Sequence, residues 1–349
     1  MKKMLALSII FIFSFFLWGG SLPFVLAQET SDDTSIETTA EAATENSTED
    51  STETLIEEPP ALPFSDMTET NRYYDAVHFL YDLDVIQGYD DGTFHPYDEI
   101  NRAEALKILM LAFDETESLT VEPTPTAYFS DVHDDDWFFP YIQTAYEKKI
   151  VSGYADGSFA PENTVNLAEA LKMLIKTSGA FNEPYVSPTL TENPAPDVPL
   201  DSWYANYVSY AFTNGLTYIE KDGNLHAENA VTRGELADLI YRFKNPGIYS
   251  GVMEYGVATY YGASFDGCNT ASGEPLVQSE YQAAHKTLPF GTRVRVTNPA
   301  NGLTIVVKIV DRGPYVDGRI LDLTTSAFEA LGKNLSAGVV EVEMEILYN

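Results

Sequence analysis

An internal repeat occurs three times in this chain and limits the folds that it can adopt. The stretch GYDDGTFHPYDEINRAEALKIL of the first copy returns as GYADGSFAPENTVNLAEALKML and, more loosely, as YIEKDGNLHAENAVTRGELADLI. The corresponding glycines Gly92, Gly157 and Gly223 lie 65 and 66 residues apart. A fixed period of this kind predicts several copies of one structural unit that pack against each other.

Each copy has the pattern of two helices joined by a turn. An aromatic-rich stretch such as WFFPYIQTAYEKKIV has apolar residues three and four positions apart, which predicts the first helix. We interpret Asp90, Asp91 and Asp156 as residues of an Asp-Gly turn, because their spacing lacks the regular oxygen ligands of a calcium loop. The second helix begins at a capping box in each copy. The three boxes pair Asn101 with Glu104, Asn166 with Glu169, and Thr232 with Glu235.

The N-terminal segments differ in kind from the repeats. Lys2, Lys3, an apolar run over residues 4–18 and a small-residue pattern ending at Ala27 predict a signal peptide, residues 1–27. An uncleaved anchor is the alternative, but the run is shorter than the roughly 20 residues that span a bilayer. Residues 28–62 hold eleven acids and no base, which predicts a disordered acidic linker rich in Thr and Glu. We expect an exported protein without a membrane span after cleavage.

The charge of the chain argues against nucleic acid as a partner. The formal net charge is -33, and the sequence has no basic stripe of the kind that displaces counterions from a polyanion. Residues 63–249 hold 31 acids against 11 bases, whereas residues 250–349 hold 11 against 7. No motif predicts a metal or a cofactor, so any chemistry is expected from side chains alone.

The three copies resemble S-layer homology modules over about residues 64–245. The resemblance rests on FSD at Phe64 and Phe129, on the GYxDGxFxP turn in two copies, and on the tetrads NRAE, NLAE and TRGE. It implies three modules, at 63–122, 123–186 and 187–247, that fold together as an all-α-rich pseudo-trimer. Such modules bind anionic, often pyruvylated, secondary wall polysaccharide.

The tetrad arginine is a polymer ligand in that family, and the role falls here on Arg102 and Arg233. The second copy has Leu167 at the same position, which predicts a weakened or silent groove. The structural alternative is an arginine that is simply solvated in the first turn of a helix. Because the chain is acidic, an anionic polymer would have to be held by such local cations against a repulsive overall field.

The last hundred residues have a different texture. Short alternating runs such as TRVRVTN, LTIVVKIVD and GVVEVEMEILY predict strands, and closure into a small barrel would hide their edges. One short helix, SAFEALG, is predicted between them, with Ser326 and Glu329 as a capping box and Gly332 at its end.

Three long motifs occur in order in this region: GVATYYGASFDGCNTASGE, AAHKTLPFGTRVRVTN and DRGPYVDGRILDL. They are similar to the six-stranded double-psi β-barrel of the rare lipoprotein A family, and the resemblance assigns residues 250–349 to it. Members are lytic transglycosylases of peptidoglycan or relatives that bind glycan, and the barrel resembles that of expansins. The proposed catalytic positions of the family fall on Glu274, His285 and Asp311. The only cysteine, Cys268, lies where a basic residue is common in that family. Because it is far from the signal region, we expect no lipid attachment there, and wall attachment is expected from the repeats.

Asp311 is the best candidate for the chemistry. Strand alternation places Ile305, Val307, Ile309 and Asp311 on one face, so the carboxyl would end an apolar row that favours the neutral form a general acid needs. A lytic transglycosylase can use one carboxyl, first as acid toward the glycosidic oxygen and then as base toward the 6-hydroxyl of muramic acid. That step closes a 1,6-anhydro ring without water, whereas glycoside hydrolysis uses two carboxylates.

Three further residues have open assignments. Tyr260 and Tyr261 stack on sugar rings or fill the barrel, and Asp322 is interpreted as a cap near a helix start. The leading hypothesis is an exported, wall- or S-layer-associated lytic transglycosylase whose partners are peptidoglycan strands and wall polysaccharide. The alternatives are a non-catalytic, expansin-like wall-loosening module and a structural component of the envelope.

Overall fold

A computed structural model of the chain describes residues 61–115, 119, 128–180 and 192–348. The predicted signal peptide and nearly all of the predicted linker lie outside the described residues. The repeats and the C-terminal domain belong to one compact unit, Pro59–Asn349. None of the helices within the described ranges is long and apolar enough to cross a bilayer.

Each repeat contributes two helices to the described structure. They are α1 (Tyr74–Asp82), α2 (Arg102–Ala112), α3 (Phe139–Glu147), α4 (Leu167–Thr177), α5 (Ala205–Thr213) and α6 (Arg233–Lys244). The capping boxes predicted for α2, α4 and α6 are confirmed, with reciprocal bonds in all three. The all-α-rich character is not confirmed, because the helices are only 9 to 12 residues long and turns separate them.

The repeats are joined in a closed cycle by equivalent backbone hydrogen bonds. An N–H group in the first turn of each second helix donates to a carbonyl of another repeat: Arg102 to Asn163, Leu167 to Asn229 and Arg233 to Asp98, at 2.9 to 3.0 Å. These bonds satisfy donors that a helix end leaves free. As a result, every tetrad lies at a boundary between two repeats. Leu109, Leu174 and Ile240, at one position of the three second helices, are fully buried in the shared core.

The C-terminal domain is a closed six-stranded barrel, as the resemblance implied. Its strands are β1 (Tyr249–Tyr260), β2 (Gln282–Ala284), β3 (Arg293–Thr297), β4 (Thr304–Asp311), β5 (Arg319–Leu323) and β6 (Val340–Leu347). They close in the order β1-β5-β2-β4-β3-β6, with parallel pairing of β1 with β5 and of β2 with β4. The three-residue strand β2 is too short to show alternation in the sequence.

A short helix, α7 (Thr325–Ala330), follows β5. The capping box predicted from Ser326 and Glu329 is wrong: the N-cap is Thr324, and no side chain caps the helix. The Ser326 hydroxyl instead donates to the carbonyl of Glu280 at 3.1 Å. The Ser326 hydroxyl, which the local sequence pattern assigned to the helix N-terminus, therefore forms a tertiary contact with the loop before β2 instead.

Strand β4 follows the predicted alternation over most of its length. Ile305, Val307 and Ile309 are buried in the barrel core, as predicted. At the end of the strand the register shifts, because Ala283 of β2 pairs with Ile309 while the next residue pairs with Asp311. Val310 is the extra residue of this bulge and is also buried. Strict alternation is thus wrong for Asp311, because a bulge redirects the side chains beside it.

Candidate functional site

Asp311 lies half-buried at the end of β4, and hydrogen-bond donors surround its carboxylate. The hydroxyl of Tyr261 donates to it at 2.7 Å, the backbone N–H of Ala271 at 2.8 Å and that of Arg312 at 2.9 Å. The predicted apolar setting is therefore incorrect at the carboxylate itself. Such donors suit a side chain that acts as an anion.

Asp322 is the second carboxylate of this site. Ala284 of β2 pairs with Asp311 on one side and with Asp322 on the other. Because β2 lies between β4 and β5, two strand spacings separate the backbones of the two aspartates, which is on the order of 10 Å. The side chain of β2 between them is the methyl group of Ala284. Burial raises the pKa of Asp322, Arg319 opposes this effect and the charge of Asp311 adds to it.

The interpretation of Asp322 as a helix cap is wrong. Its carboxylate forms a hydrogen bond with the Thr259 hydroxyl of β1, whereas Thr324 holds the N-cap position of α7. The alternation in RILDL places Asp322 on the face of β5 opposite the buried Leu321 and Leu323, and this was the sequence signal for an acid on the sheet rather than at a helix end.

His285 is almost completely buried beside the same strand ends. Its Nδ1 atom accepts backbone N–H groups from Thr287 at 3.3 Å and Leu288 at 3.0 Å, which assigns the ring proton to Nε2. Nε2 lies 3.0 Å from the carboxylate of Glu254, to which it donates. The backbone N–H of His285 donates to the Asp311 carbonyl at 3.2 Å. The imidazole therefore fixes the loop after β2 next to Asp311.

Glu274 lies in a hairpin, closed by a bridge between Asn269 and Pro275, that runs beside β4. Its half-exposed carboxylate pairs with Lys308 at 2.8 Å. The hairpin also supplies the Ala271 N–H that binds Asp311. Among the described residues, Asp311, Glu274 and His285 form no side-chain hydrogen bond with one another. The three residues are therefore neighbours in the fold but do not form a hydrogen-bonded triad.

The two tyrosines have different roles. Tyr260 donates from its hydroxyl to the Leu335 carbonyl at 2.7 Å and packs its ring 4.9 Å from that of Phe328, so it fills the barrel. Tyr261 points to Asp311, and Phe265 packs edge-on against its ring at 5.8 Å. Sequence reasoning missed Tyr315, which is 80% exposed just after the DRGP motif. Exposed rings beside a carboxylate pair are suited to stacking on sugar faces.

The repeats form two equivalent grooves. The first groove is lined by Tyr89, Glu104, Lys107, Trp137 and Arg233. The second groove is lined by Tyr154, Glu169, Lys172, Trp203 and Arg102. The two sets occupy the same positions in their repeats, and we call them the groove tyrosine, glutamate, lysine, tryptophan and arginine.

The groove arginines are buried and make equivalent contacts with a backbone carbonyl and an aromatic ring, and Arg102 also pairs with Glu169 at 3.2 Å. Arg233 donates from Nε to the Phe94 carbonyl at 3.0 Å, and its guanidinium carbon lies 4.8 Å from the ring centroid of Tyr89. Arg102 donates to the Phe159 carbonyl at 3.1 Å and lies 5.2 Å from Tyr154. The alternative of a solvated arginine is therefore wrong, because both guanidinium groups are buried and held by a backbone carbonyl.

The groove lysines lie over the groove tryptophans. The Nζ atom of Lys107 is 5.5 Å from the Trp137 ring centroid, and that of Lys172 is 5.1 Å from Trp203. Burial, together with the neighbouring cations Lys176 and Arg102, lowers the pKa of Lys172. Both grooves therefore concentrate positive charge next to an exposed aromatic ring, a combination that suits an acidic sugar.

Leu167 lines a third groove, together with Arg72, Glu220, Glu235 and Asp238. The predicted weak groove thus lies between the second and third repeats. Across the described residues, no cluster of three or more His, Cys, Asp or Glu side chains is arranged to hold a metal ion.

Comparisons with known proteins match both parts of the chain. The family model described as S-layer homology domain matches residues 63–106, 128–171 and 196–237, and the model described as Lytic transglycolase matches residues 253–344. The probable endolytic peptidoglycan transglycosylase RlpA of Synechocystis is 50% identical over 92 residues, which cover 26% of this chain and 28% of the relative. The endolytic peptidoglycan transglycosylase RlpA of Vibrio cholerae is 37% identical over 163 residues, 45% of this chain and 55% of the relative.

Among solved structures, the Streptomyces papain inhibitor is 30% identical, with a TM-score of 0.24, over 28% of this chain and 94% of the inhibitor. The chain thus spans little more than a quarter of the Synechocystis relative and about half of the Vibrio one. The chain carries three S-layer homology repeats followed by an RlpA-like double-psi barrel domain.

Proposed function

We propose that this protein is a lytic transglycosylase that cleaves peptidoglycan glycan strands and is held at the cell wall or S-layer by its repeats. The observation that supports the reaction most is the pair of aspartates on either side of Ala284. Burial raises the pKa of Asp322, while three donors bind Asp311. Environments that differ in this way are typical of an acid and its anionic partner.

In the proposed reaction Asp322 is the general acid. Its proton moves to the glycosidic oxygen as the bond to the anomeric carbon breaks, and the leaving sugar departs as an alcohol. The carboxylate of Asp311 stabilises the positive charge that develops on the muramic acid ring. The 6-hydroxyl of that ring then attacks the anomeric carbon and gives its proton to Asp322, which restores the acid and forms the 1,6-anhydro product without water.

This division of roles differs from the sequence-based prediction, which gave both proton transfers to Asp311. Glu274 and His285 were predicted as catalytic, and they are proposed instead to hold the segments that surround Asp311 in place. The hairpin of Glu274 carries a donor to Asp311, and His285 holds the adjoining loop through both ring nitrogens. Tyr261 keeps its proton because burial raises its pKa and Asp311 accepts its hydroxyl hydrogen.

The repeats are proposed to bind an anionic, pyruvylated wall polysaccharide in the first and second grooves. Arg102 and Arg233 would meet the acidic substituent, and the groove tryptophans would stack on the sugar. The held guanidinium groups support this assignment, since they are local cations on a chain of net charge -33. Export follows from the predicted signal peptide.

The test is digestion of purified peptidoglycan, followed by mass spectrometry of the released fragments. We expect anhydromuramyl ends from the unmutated chain and markedly fewer from the Asp311→Asn variant. Reducing ends in place of anhydro ends would indicate hydrolysis, which also uses paired carboxylates. Retention on the insoluble wall without new chain ends would instead support the expansin-like binding module.

A further inference from the structure

The third groove differs from the other two at four of the five named positions and keeps only the groove glutamate, as Glu235. It has Arg72 in place of the groove tryptophan, Asp238 in place of the groove lysine and Leu167 in place of the groove arginine. Glu220 replaces the groove tyrosine. Three acids, counting Glu235, now face a space where the other grooves concentrate cations, so an anionic polymer would be repelled.

Two of these replacements contact the barrel. Arg72 pairs with Glu343 of β6 at 3.6 Å, and Asp238 lies 3.5 Å from Arg295 of β3. The equivalent residues of the first groove, Trp137 and Lys107, contact each other instead. The charges of Arg72 and Asp238 are therefore opposite to those of the barrel residues that they contact.

A buried ion network completes this contact. Arg242 of α6 donates to both oxygens of Glu345 at 2.6 and 2.9 Å, and Arg295 donates to the same carboxylate at 2.8 Å. Arg242 also donates to Asp238 at 2.7 Å. Two cations and two anions thus balance, and Arg242 and Glu345 are only 2% and 1% exposed. Burial opposes ionisation of Asp238, but Arg242 and Arg295 outweigh it and hold its pKa below the ordinary value.

Such a network strongly favours one arrangement of the barrel. Buried charges are tolerated only where each has its partner, and a shifted barrel would leave some of them unpaired. Tyr249 fits between the same groups, with the guanidinium carbons of Arg242 and Arg295 at 4.1 and 4.7 Å from its ring centroid.

The backbones also approach each other closely at this contact. A Cβ atom on Gly215 would lie 2.7 Å from the Tyr249 carbonyl oxygen, so only glycine fits. The first and second repeats have Asp84 and Lys149 at this position, with the same positive φ. The turn therefore accepts other residues, and it is the barrel that requires a glycine here. At another point, the backbone N–H of Thr304 donates to the Thr70 carbonyl at 2.6 Å.

We propose that the edge of the third groove, at Arg72 and Asp238, is the docking site of the chain's own barrel, so that the repeats offer two polymer grooves and hold the cleft of Asp311 and Asp322 in one fixed orientation. This inference does not depend on the proposed reaction. It requires only that repeats and barrel move as one body.

The test uses zero-length carbodiimide coupling on the chain, with the linked peptides measured by mass spectrometry. Lys221 of the third repeat lies 3.1 Å from Glu341 of β6, and this pair reports docking. Lys308 and Glu274, at 2.8 Å within the barrel, form the internal control. We expect both links to form in the unmutated chain with yields within about threefold, since both pairs are in hydrogen-bond contact.

The informative variant combines Arg72→Trp, Leu167→Arg and Asp238→Lys. Each change introduces the residue that the other grooves carry at that position, so the repeats are expected to fold. We expect the link between Lys221 and Glu341 to fall at least tenfold, whereas the link between Lys308 and Glu274 persists. The matched control exchanges the first groove in the opposite direction, by Trp137→Arg and Lys107→Asp, and should change neither link.

Calorimetry gives an independent readout. The unmutated chain should unfold in one transition, and the variant with the restored third groove should unfold in two. The proposal is overturned if the Lys221 to Glu341 link fails to form in the unmutated chain while the control link forms. It is equally overturned if the restored groove leaves that link unchanged, or if the unmutated chain already unfolds in two transitions.

Discussion

The barrel cleft holds acidic side chains and the two open grooves of the repeats hold cationic ones, and in both places burial and neighbouring groups fix the charged side chain. In the cleft, two aspartates lie on strands that flank a small residue, and burial raises the pKa of one of them. In the grooves, a guanidinium group is pinned by a carbonyl and an aromatic ring. Desolvation of an acid prepares it to give up a proton, whereas a fixed cation prepares a site to hold an anion. Cleavage and attachment should therefore be separable by single substitutions.

The largest effect is expected from Asp322→Asn. Loss of a general acid should reduce the release of anhydromuramyl fragments by about 10² to 10⁴ fold, while retention on the wall stays unchanged. Fragment release under single-turnover conditions measures the effect. The matched control is Asp317→Asn, which removes an exposed carboxylate from the neighbouring loop and should leave the rate unaltered.

Loss of folding would not explain that result. The pKa of Asp322 is higher in the folded state than in the unfolded state. The stability that Asp322 contributes is therefore present below its unfolded pKa and is lost as the pH rises through its folded pKa. Above that folded pKa the charged carboxylate opposes folding, so Asp322→Asn should melt no lower than the unmutated chain there. Equal fragment release by the variant and the unmutated chain would remove Asp322 from the acid role.

The intermediate effect is expected in the grooves. Arg102→Leu and Arg233→Leu each introduce the residue that the second repeat already carries at this position. Each should weaken retention on walls that keep their anionic polysaccharide by roughly tenfold, the cost of losing a charge-assisted hydrogen bond. Cosedimentation measures this, and cleavage of soluble glycan fragments should be unchanged. Arg293→Leu, which removes an exposed arginine of β3, is the control for net charge. Equal retention of all three variants would contradict the polymer site.

The smallest effect is expected from Arg319→Gln. Arg319 lowers the pKa of Asp322 against the effect of burial, so its removal should raise that pKa further. Because the acid must be protonated, activity is lost as the pH rises through this pKa, and the alkaline limb of the profile should move to higher pH. The limb is measured from the rate of fragment release between pH 4 and about pH 8, a range set by ordinary carboxyl titration. A limb that moves to lower pH would show that another group titrates there.

Much of the fold could be predicted from the sequence because its signals are local. The capping boxes of α2, α4 and α6 each join residues three positions apart, and the core positions of β4 follow from alternation up to Ile309. Prediction failed where a distant segment competes. Ser326 bonds to the loop at Glu280 instead of capping α7, and the bulge at Val310 is set by pairing with β2.

The candidate site was only partly predictable for the same reason. The ordered motifs indicate Asp311, Glu274 and His285, but nothing local indicates that Nδ1 of His285 accepts two loop N–H groups. Asp322 was assigned to a helix end because α7 is near in sequence. Its partner Thr259 lies 63 positions away, on a strand that only barrel closure brings alongside.

Sequence alone was sufficient to predict the threefold repeat, the caps of α2, α4 and α6, the existence of a barrel and the two groove arginines. These depend on spacings within one element or on matching positions in three copies. The folded structure was needed to place Asp322 near Asp311, and to place the barrel against Arg72 and Asp238 at the edge of the groove that Leu167 lines. The ion pair of Arg242 with Glu345 spans 103 positions, and a charge acquires its partner only when the folded chain brings both into one buried place.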